Sequence, residues 1–117
     1  MKKIFYLATC DTCKRIMKEL GIGDDWEKRE IKSSPVSELE IDELKRLAGS
    51  YEALFSKRSR QYAAMGLKDR QLSESDLRTL ILNEYTFLKR PVIIINDRIY
   101  IGNQRSTVDA VKNDPGF

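Results

Sequence analysis

The sequence predicts an α/β protein in which a β-α-β unit and a β-β-α unit share one small mixed sheet. An apolar, β-prone run opens the chain, and a helical pattern follows it directly. Runs of β-branched residues return only after residue 91. The stretch between them, residues 33–84, keeps helical spacing. We therefore expect one domain over residues 1–117, with residues 33–84 as a helical insertion within it.

The first three elements follow from apolar spacing and from the residues that bound them. Residues 3–8 are short, apolar and β-prone, and they predict a buried strand. Residues 9–12 supply capping side chains for a helix that ends near Gly21. Its apolar positions are Ile16, Met17 and Leu20. Side chains in residues 26–31 show a weak two-residue alternation, which predicts a second strand between two helices.

The helical insertion has its own start and stop signals. In Ser33-Ser34-Pro35, a proline behind a serine cap predicts the first turn of a helix. That helix ends at Gly49, and its apolar stripe is Leu39, Leu44 and Leu47. Residues 51–66 predict shorter helical pieces. Ser73 with Asp76 predicts a capping box that opens a further helix.

The β pattern returns near the end of the chain. Residues 92–95 form a β-branched run, residues 96–98 predict a turn, and residues 99–101 predict a second short strand. A last amphipathic helix follows, with Val108 and Val111 on its apolar side. A β-α-β unit joined to a β-β-α unit is the thioredoxin-like arrangement.

Composition narrows the class of protein. Hydrophobic residues make up 41% and charged residues 33%, which predicts a globular chain and excludes a disordered one. A net charge of +3 is far below that of a dedicated nucleic-acid binder, so we expect no direct contact with nucleic acid. The longest apolar runs are strand-sized and predict no membrane span. The N-terminal run is too short for a signal peptide, and we expect a cytoplasmic protein.

The chain has no histidine, which restricts its chemistry. A histidine base, a Ser-His-Asp triad and a histidine-rich metal site are all excluded. The candidate nucleophiles that remain are thiol, hydroxyl, lysine and carboxylate groups. Two cysteines without histidine are too few for a structural zinc site within one chain, so we expect no metal.

The motif Cys10-Asp11-Thr12-Cys13 lies between the first strand and the first helix. At a helix N-terminus, free N–H groups and the positive dipole end favour a thiolate on Cys10. Cys13 falls one turn later, within reach of a mixed disulfide on Cys10. Lys14 and Arg15 add positive charge nearby. The Asp11 carboxylate acts in the other direction and should raise the Cys10 pKa, unless Asp11 turns away to cap the helix. A redox pair is the preferred interpretation; two packing cysteines, or a zinc ion bridging two chains, are the alternatives.

The pair Arg90-Pro91 directly precedes the strand at residues 92–95. In thioredoxin-like folds a cis-proline at this point lies against the cysteine motif, so we expect Pro91 to be a structural cis-proline. Arg90 would then lie beside Cys10, where it can stabilise a thiolate or hold an oxyanion. In the other basic cluster, Lys57 and Arg60 are interpreted as solvated.

Four segments together resemble one known family. They are TCDTCKRI, LFSKRSRQY, FLKRPVIII and IYIGN, and in this order they resemble the glutaredoxin-coupled arsenate reductases and Spx-type regulators. The resemblance implies that Cys10 is the nucleophile, that arginines hold an oxyanion, and that glutathione and glutaredoxin regenerate the thiol.

The arginines match the two branches of this family unequally. Arg90 matches the arginine before the cis-proline. The reductases' second arginine falls at Ser56, and their third falls near Gly102, where this chain has none and Arg105 comes later. The Spx-type members carry the two-cysteine motif, and their arginine in the insertion aligns with Arg58.

These observations predict a thiol-dependent oxidoreductase acting on an oxyanion, a glutathione adduct or a protein disulfide. The catalytic residues are Cys10, Cys13 and Arg90; the substrate- or anion-binding residues are Arg58, Arg90 and Thr12. We expect no bound cofactor, with glutathione, thioredoxin or glutaredoxin as the reductant. The alternative is a redox-sensing regulator that binds RNA polymerase and uses Cys10 and Cys13 as its switch. A binding module that uses the same groove without chemistry is a third reading.

Overall fold

A computed structural model describes all 117 residues of the chain. It contains four strands and five α-helices. The strands are β1 (Lys2–Tyr6), β2 (Glu27–Glu30), β3 (Val92–Ile95) and β4 (Arg98–Ile101). The helices are α1 (Asp11–Glu19), α2 (Glu38–Ala48), α3 (Arg60–Ala64), α4 (Glu74–Asn83) and α5 (Arg105–Lys112). Short 3-10 turns cover Glu52–Leu54, Leu67–Asp69 and Tyr85–Phe87.

The four strands form one mixed sheet in the order β2-β1-β3-β4. β1 and β2 run parallel, with Tyr6 opposite Glu30, while β3 is antiparallel to both β1 and β4. The hairpin of β3 and β4 turns at Asn96, which has a φ of 56°. This arrangement confirms the predicted thioredoxin-like fold class.

The chain divides into two compact units. The first comprises Met1–Ser34 and Arg90–Phe117, and it holds the whole sheet with α1 and α5. The second, Pro35–Lys89, is helical. The inserted unit therefore starts and ends slightly later than the predicted residues 33–84, and the single domain over residues 1–117 stays a prediction.

The core of the first unit is the layer between the sheet and its two helices. Every residue of β3 is buried, as expected for a central strand made only of valine and isoleucine. The cluster joins the sheet to both helices, and its members are Ile4, Ile16, Leu20, Trp26, Ile93, Ile95, Val108 and Val111. No helix in the structure has the length and apolarity that a membrane span requires.

Two details of the strands and helices differ from the sequence predictions. β1 ends at Tyr6 rather than at residue 8, because the chain turns away from the sheet before the cysteine motif. α2 begins at Glu38 and is capped by Ser37, not by the serine before Pro35. The reason is a complete capping box, in which Ser37 and Glu40 each bond to the other's backbone N–H.

The buried face of α2 also differs from the predicted apolar stripe. Ile41 and Leu44 are buried, whereas Leu39, expected on the apolar stripe, is 85% exposed. The predicted capping box of Ser73 and Asp76 on α4 is confirmed. Inside the second unit, Phe55 and Phe87 stack with ring centres 5.0 Å apart.

A candidate thiol active site

A tight turn carries the chain from β1 to Cys10. The Cys10 N–H donates to the Leu7 carbonyl at 3.1 Å, which closes the turn. Cys10 itself has an extended backbone, with φ −91° and ψ 110°, and it is the N-cap of α1. Its carbonyl accepts the Lys14 N–H at 3.1 Å, the first bond of the helix. The thiol therefore lies at a helix N-terminus, where unpaired N–H groups favour negative charge.

The two cysteines are free thiols in different surroundings. Cys10 is half-buried and Cys13 is fully buried. Partial burial acts to raise the pKa of Cys10, but the backbone N–H and thiol of Cys13 and then Arg90 outweigh it, so this pKa lies below its usual value. Burial raises the pKa of Cys13 to about 12, and a hydrogen bond to Cys10 acts in the same direction. The surroundings therefore favour a thiolate more strongly at Cys10 than at Cys13.

Arg90 reaches the sulfur of Cys10 from the start of β3. The Arg90–Pro91 peptide bond is cis, and the Pro91 carbonyl accepts the Gly102 N–H at 2.9 Å. Arg90 is half-buried and acts on Cys10 through both its charge and a hydrogen bond. The structure thus brings together Cys10, Cys13 and Arg90, three of the residues singled out from the sequence.

Glu30 supports this site and was missed in the sequence. Its carboxylate accepts the N–H of Ala8 at 2.8 Å, two residues before Cys10. The same carboxylate accepts the N–H groups of Lys32 and Ser33 at 2.9 and 2.8 Å. The Ala8 bond and then those from Ser33 and Lys32 lower the pKa of Glu30 to about 2. Glu30 therefore ties the end of β2 to the turn that carries Cys10.

The remaining predicted residues, Thr12 and Arg58, lie in different units of the chain. Thr12 is half-buried at the second position of α1, and Asp11 is exposed at the first. Arg58 is exposed in the second unit, just before Ser59, whose hydroxyl is 2.7 Å from that of Thr86. A role for Arg58 and Thr12 in anion binding stays a prediction.

Arg105 is held away from the thiol. It opens α5 and donates to Glu19 at 3.0 Å and to Asp109 at 3.1 Å. Glu19 is the last residue of α1, and a helix of that length places it about 13 Å along the axis from Cys10. Arg105 therefore does not replace the third arginine of the reductases. No group of three metal-ligating side chains is present.

A half-buried, lowered-pKa thiol, a buried partner thiol and an arginine at a cis-proline define a thiol protein of thioredoxin-like fold. The ArsC family matches residues 5–111, almost the whole chain, and the chain belongs to that family. The predicted resemblance to arsenate reductases and Spx-type proteins is thereby confirmed.

Individual relatives come from both branches. The global transcriptional regulator Spx of Streptococcus mutans is 29% identical over 114 residues, which cover 94% of this chain and 82% of that protein. Arsenate reductase from Vibrio cholerae has a similar structure, with a TM-score of 0.75 and 17% identity over 95% of each chain. An arsenate reductase related protein from Brucella melitensis gives a TM-score of 0.67 and 17% identity, covering 97% of this chain and 95% of that one. The structural likenesses concern the fold.

Proposed function

We propose that this protein is a thiol-dependent oxidoreductase in which Cys10 is the nucleophile and Cys13 the resolving thiol. The observation that carries the proposal is the opposite behaviour of the two thiols: the pKa of Cys10 is lowered and that of Cys13 is raised to about 12. A thiolate attacks and a thiol does not, so the half-buried residue reacts first. The buried one acts only after Cys10 has formed a bond.

On a mixed disulfide the reaction has two exchanges. The Cys10 thiolate attacks one sulfur, a new S–S bond forms, and the other sulfur leaves as a thiolate. Cys13 then loses its proton and attacks the Cys10 sulfur. The Cys10–Cys13 disulfide forms and the substrate's first thiol is released. Substrate gains two electrons, and the protein dithiol supplies them.

The same pair can reduce an oxyanion such as arsenate. Cys10 would add to arsenic and displace hydroxide, and attack by Cys13 on the Cys10 sulfur would release the two-electron-reduced product as the protein disulfide forms. Arg90 would hold the thiolate or the oxyanion, with Arg58 and Thr12 as further anion ligands. Glutathione, glutaredoxin or thioredoxin would return the disulfide to two thiols in a reducing cytoplasm.

Single-cysteine variants test this assignment. The Cys10→Ser variant should lose turnover of arsenate and of a glutathione mixed disulfide by at least ~1000-fold when a complete reductant system is supplied. The Cys13→Ser variant should instead accumulate a covalent adduct on Cys10, visible by intact-protein mass spectrometry. Unchanged turnover in Cys10→Ser would refute the proposal.

A second candidate is a redox-sensing regulator, which the similarity to Spx supports. Oxidation to a Cys10–Cys13 disulfide would remove the thiolate beside Arg90 and change that surface. Binding of the RNA polymerase α subunit to oxidised and reduced protein separates the candidates. Binding by the oxidised form alone, with no turnover, would favour the regulator. Failure of both forms to bind, with turnover present, would leave the oxidoreductase.

A further inference from the structure

The outer face of α1 places positive charge in line with Cys10. Cys10, Lys14 and Lys18 are spaced four residues apart, so they lie along one ridge of the helix. The hydrogen bond from the Lys14 N–H to the Cys10 carbonyl shows that this ridge begins at the thiol residue. Both lysines are exposed, as is Arg15 beside them. We call Lys14, Arg15 and Lys18 the α1 basic face.

The charges of the α1 basic face are not neutralised within the chain. None of its three side chains forms an ion pair or a hydrogen bond. Glu19 lies four residues after Arg15, the spacing of a helical ion pair. However, the Glu19 carboxylate is bound by Arg105 and by Lys112, the latter at 2.5 Å. Asp11 is then the one acid left on this face, against three cations.

The helix dipole accounts for only one of these cations, Lys18. The helix dipole favours acidic groups in the first turns and basic groups in the last. Lys14 is the fourth and Arg15 the fifth of the nine residues of α1, and only Lys18 lies in the last turn. Two of the three cations therefore lie outside the turn where the dipole favours positive charge. The same placement puts Lys14 about 6 Å and Lys18 about 12 Å along the helix axis from the thiol residue, against a Debye length of about 8 Å at physiological salt.

We propose that the α1 basic face selects small anionic disulfides, such as oxidised glutathione, for attack by Cys10. The inference rests on the proposed thiol–disulfide function and names its substrate class. Carboxylates of the incoming disulfide are attracted to Lys14, Arg15 and Lys18 while one of its sulfurs meets the Cys10 thiolate. The S–S bond of the substrate breaks, one half bonds to Cys10, and the other half leaves as an anionic thiolate.

A charge series of disulfides tests the selection. The probes are oxidised glutathione, which is anionic; hydroxyethyl disulfide, which is neutral; and cystamine, which is cationic. Rate constants for the loss of the Cys10 thiol are measured at low and high ionic strength. Wild type should favour oxidised glutathione over cystamine, and a Lys14→Gln, Arg15→Gln, Lys18→Gln triple variant should reduce that ratio about tenfold at low salt. High salt should reduce the wild-type ratio in the same direction.

The control removes the same charge elsewhere. A Lys28→Gln, Lys32→Gln, Lys68→Gln variant alters three exposed lysines outside α1 and should keep the wild-type ratio. Thermal melts of both variants verify folding. An unchanged ratio in the α1 variant, or an equal slowing of all three probes, overturns the inference. Reaction with hydroxyethyl disulfide but no charge preference in wild type refutes this inference alone, whereas no reaction with any probe refutes the proposed function as well.

Discussion

At the scale of the residue, the proposed reaction depends on the difference between two thiols one helical turn apart. The Cys13 N–H, the Cys13 thiol and the Arg90 guanidinium all lower the pKa of Cys10. Cys13 is buried, and burial disfavours its thiolate. In the proposed reaction, the environment of each thiol, rather than its residue type, therefore sets the order of attack and resolution.

Removing the charge of Arg90 should weaken the thiolate on Cys10. In Arg90→Gln the pKa of Cys10 should rise, so the pH profile of iodoacetamide alkylation should move to higher pH. At about pH 6 the alkylation rate should fall roughly threefold to tenfold, because a smaller fraction of Cys10 is ionised. Alkylation rates across the pH range, measured in a Cys13→Ser background, give the profile.

The adjacent Lys89 provides the matched control. It is exposed and carries the same charge one residue earlier. Lys89→Gln should keep the wild-type profile. Superimposable profiles for Arg90→Gln and wild type would show that the arginine does not act on the thiol.

The residues of the candidate site can be predicted from the sequence, whereas the residue that holds them in position cannot. The cysteine motif and Arg90-Pro91 carry recognisable local patterns, and the structure joins them. Glu30 has no such pattern, since a glutamate at the end of a polar strand is usually solvated. Only the pairing of β1 with β2 brings its carboxylate to the Ala8 N–H.

At the scale of the element, the ends of strands and helices are set by single polar side chains. Ser37, not the serine before Pro35, caps α2, and it does so because Glu40 completes a capping box. Glu30 acts in a similar way at the end of β2, where it bonds to backbone N–H groups that have no strand partner. Both residues satisfy donors that the regular element leaves free.

The cap of α2 can be tested by a pair of serine substitutions. Ser37→Ala should reduce the free energy of unfolding by about 1 kcal/mol, because the Glu40 N–H loses its acceptor. Ser34→Ala should have little effect, although the sequence alone suggests a cap at that serine. Urea denaturation measures both. Equal losses in the two variants would contradict the assignment.

The hydrogen bonds that the Glu30 carboxylate accepts from Ala8, Lys32 and Ser33, which we call the Glu30 clamp, predict a pH-dependent contribution to stability. Its pKa is about 2 in the folded chain against an ordinary value of 4.5. The contribution is therefore complete above about pH 4.5 and is lost as the pH falls toward 2. At neutral pH, Glu30→Gln should cost about 1 kcal/mol, a figure kept low by solvent screening of the partly exposed carboxylate.

Urea denaturation at neutral and acidic pH tests this dependence. The difference between wild type and Glu30→Gln should shrink as the pH is lowered. Glu27→Gln is the control on the same strand, since its ion pair with Lys3 is at the surface. A Glu30→Gln deficit that stays constant with pH would contradict the clamp.

At the scale of the whole molecule, a buried carboxylate fastens the end of the chain to the sheet. The side chain of Asp114 is fully buried and accepts hydrogen bonds from Arg98 at 2.5 and 2.7 Å. It also accepts the Tyr100 hydroxyl and the Gly116 N–H. Arg98 first, and then Tyr100 and Gly116, hold the pKa of Asp114 well below its usual range.

Breaking this anchor should be costly. Asp114→Asn leaves Arg98 without its buried partner, so the melting temperature should fall by several degrees. The control is Asp97→Asn, which removes an 84% exposed partner of the same arginine and should leave the melting temperature nearly unchanged. A melting curve for each variant at neutral pH measures the effect; equal curves would show that Asp114 is not an anchor.

The sequence by itself determined the order of elements, the thioredoxin-like fold class and the two-cysteine motif at a helix N-terminus. These depend on apolar periodicity, caps and turn residues, which act over a few positions. The tertiary structure decided that Arg90 acts on Cys10 and that burial raises the pKa of Cys13, that Glu30 bonds to the turn before Cys10, and that Glu19 is bound by α5 instead of neutralising α1. Each of these depends on groups distant in sequence, whose distances and burial exist only once the sheet has assembled.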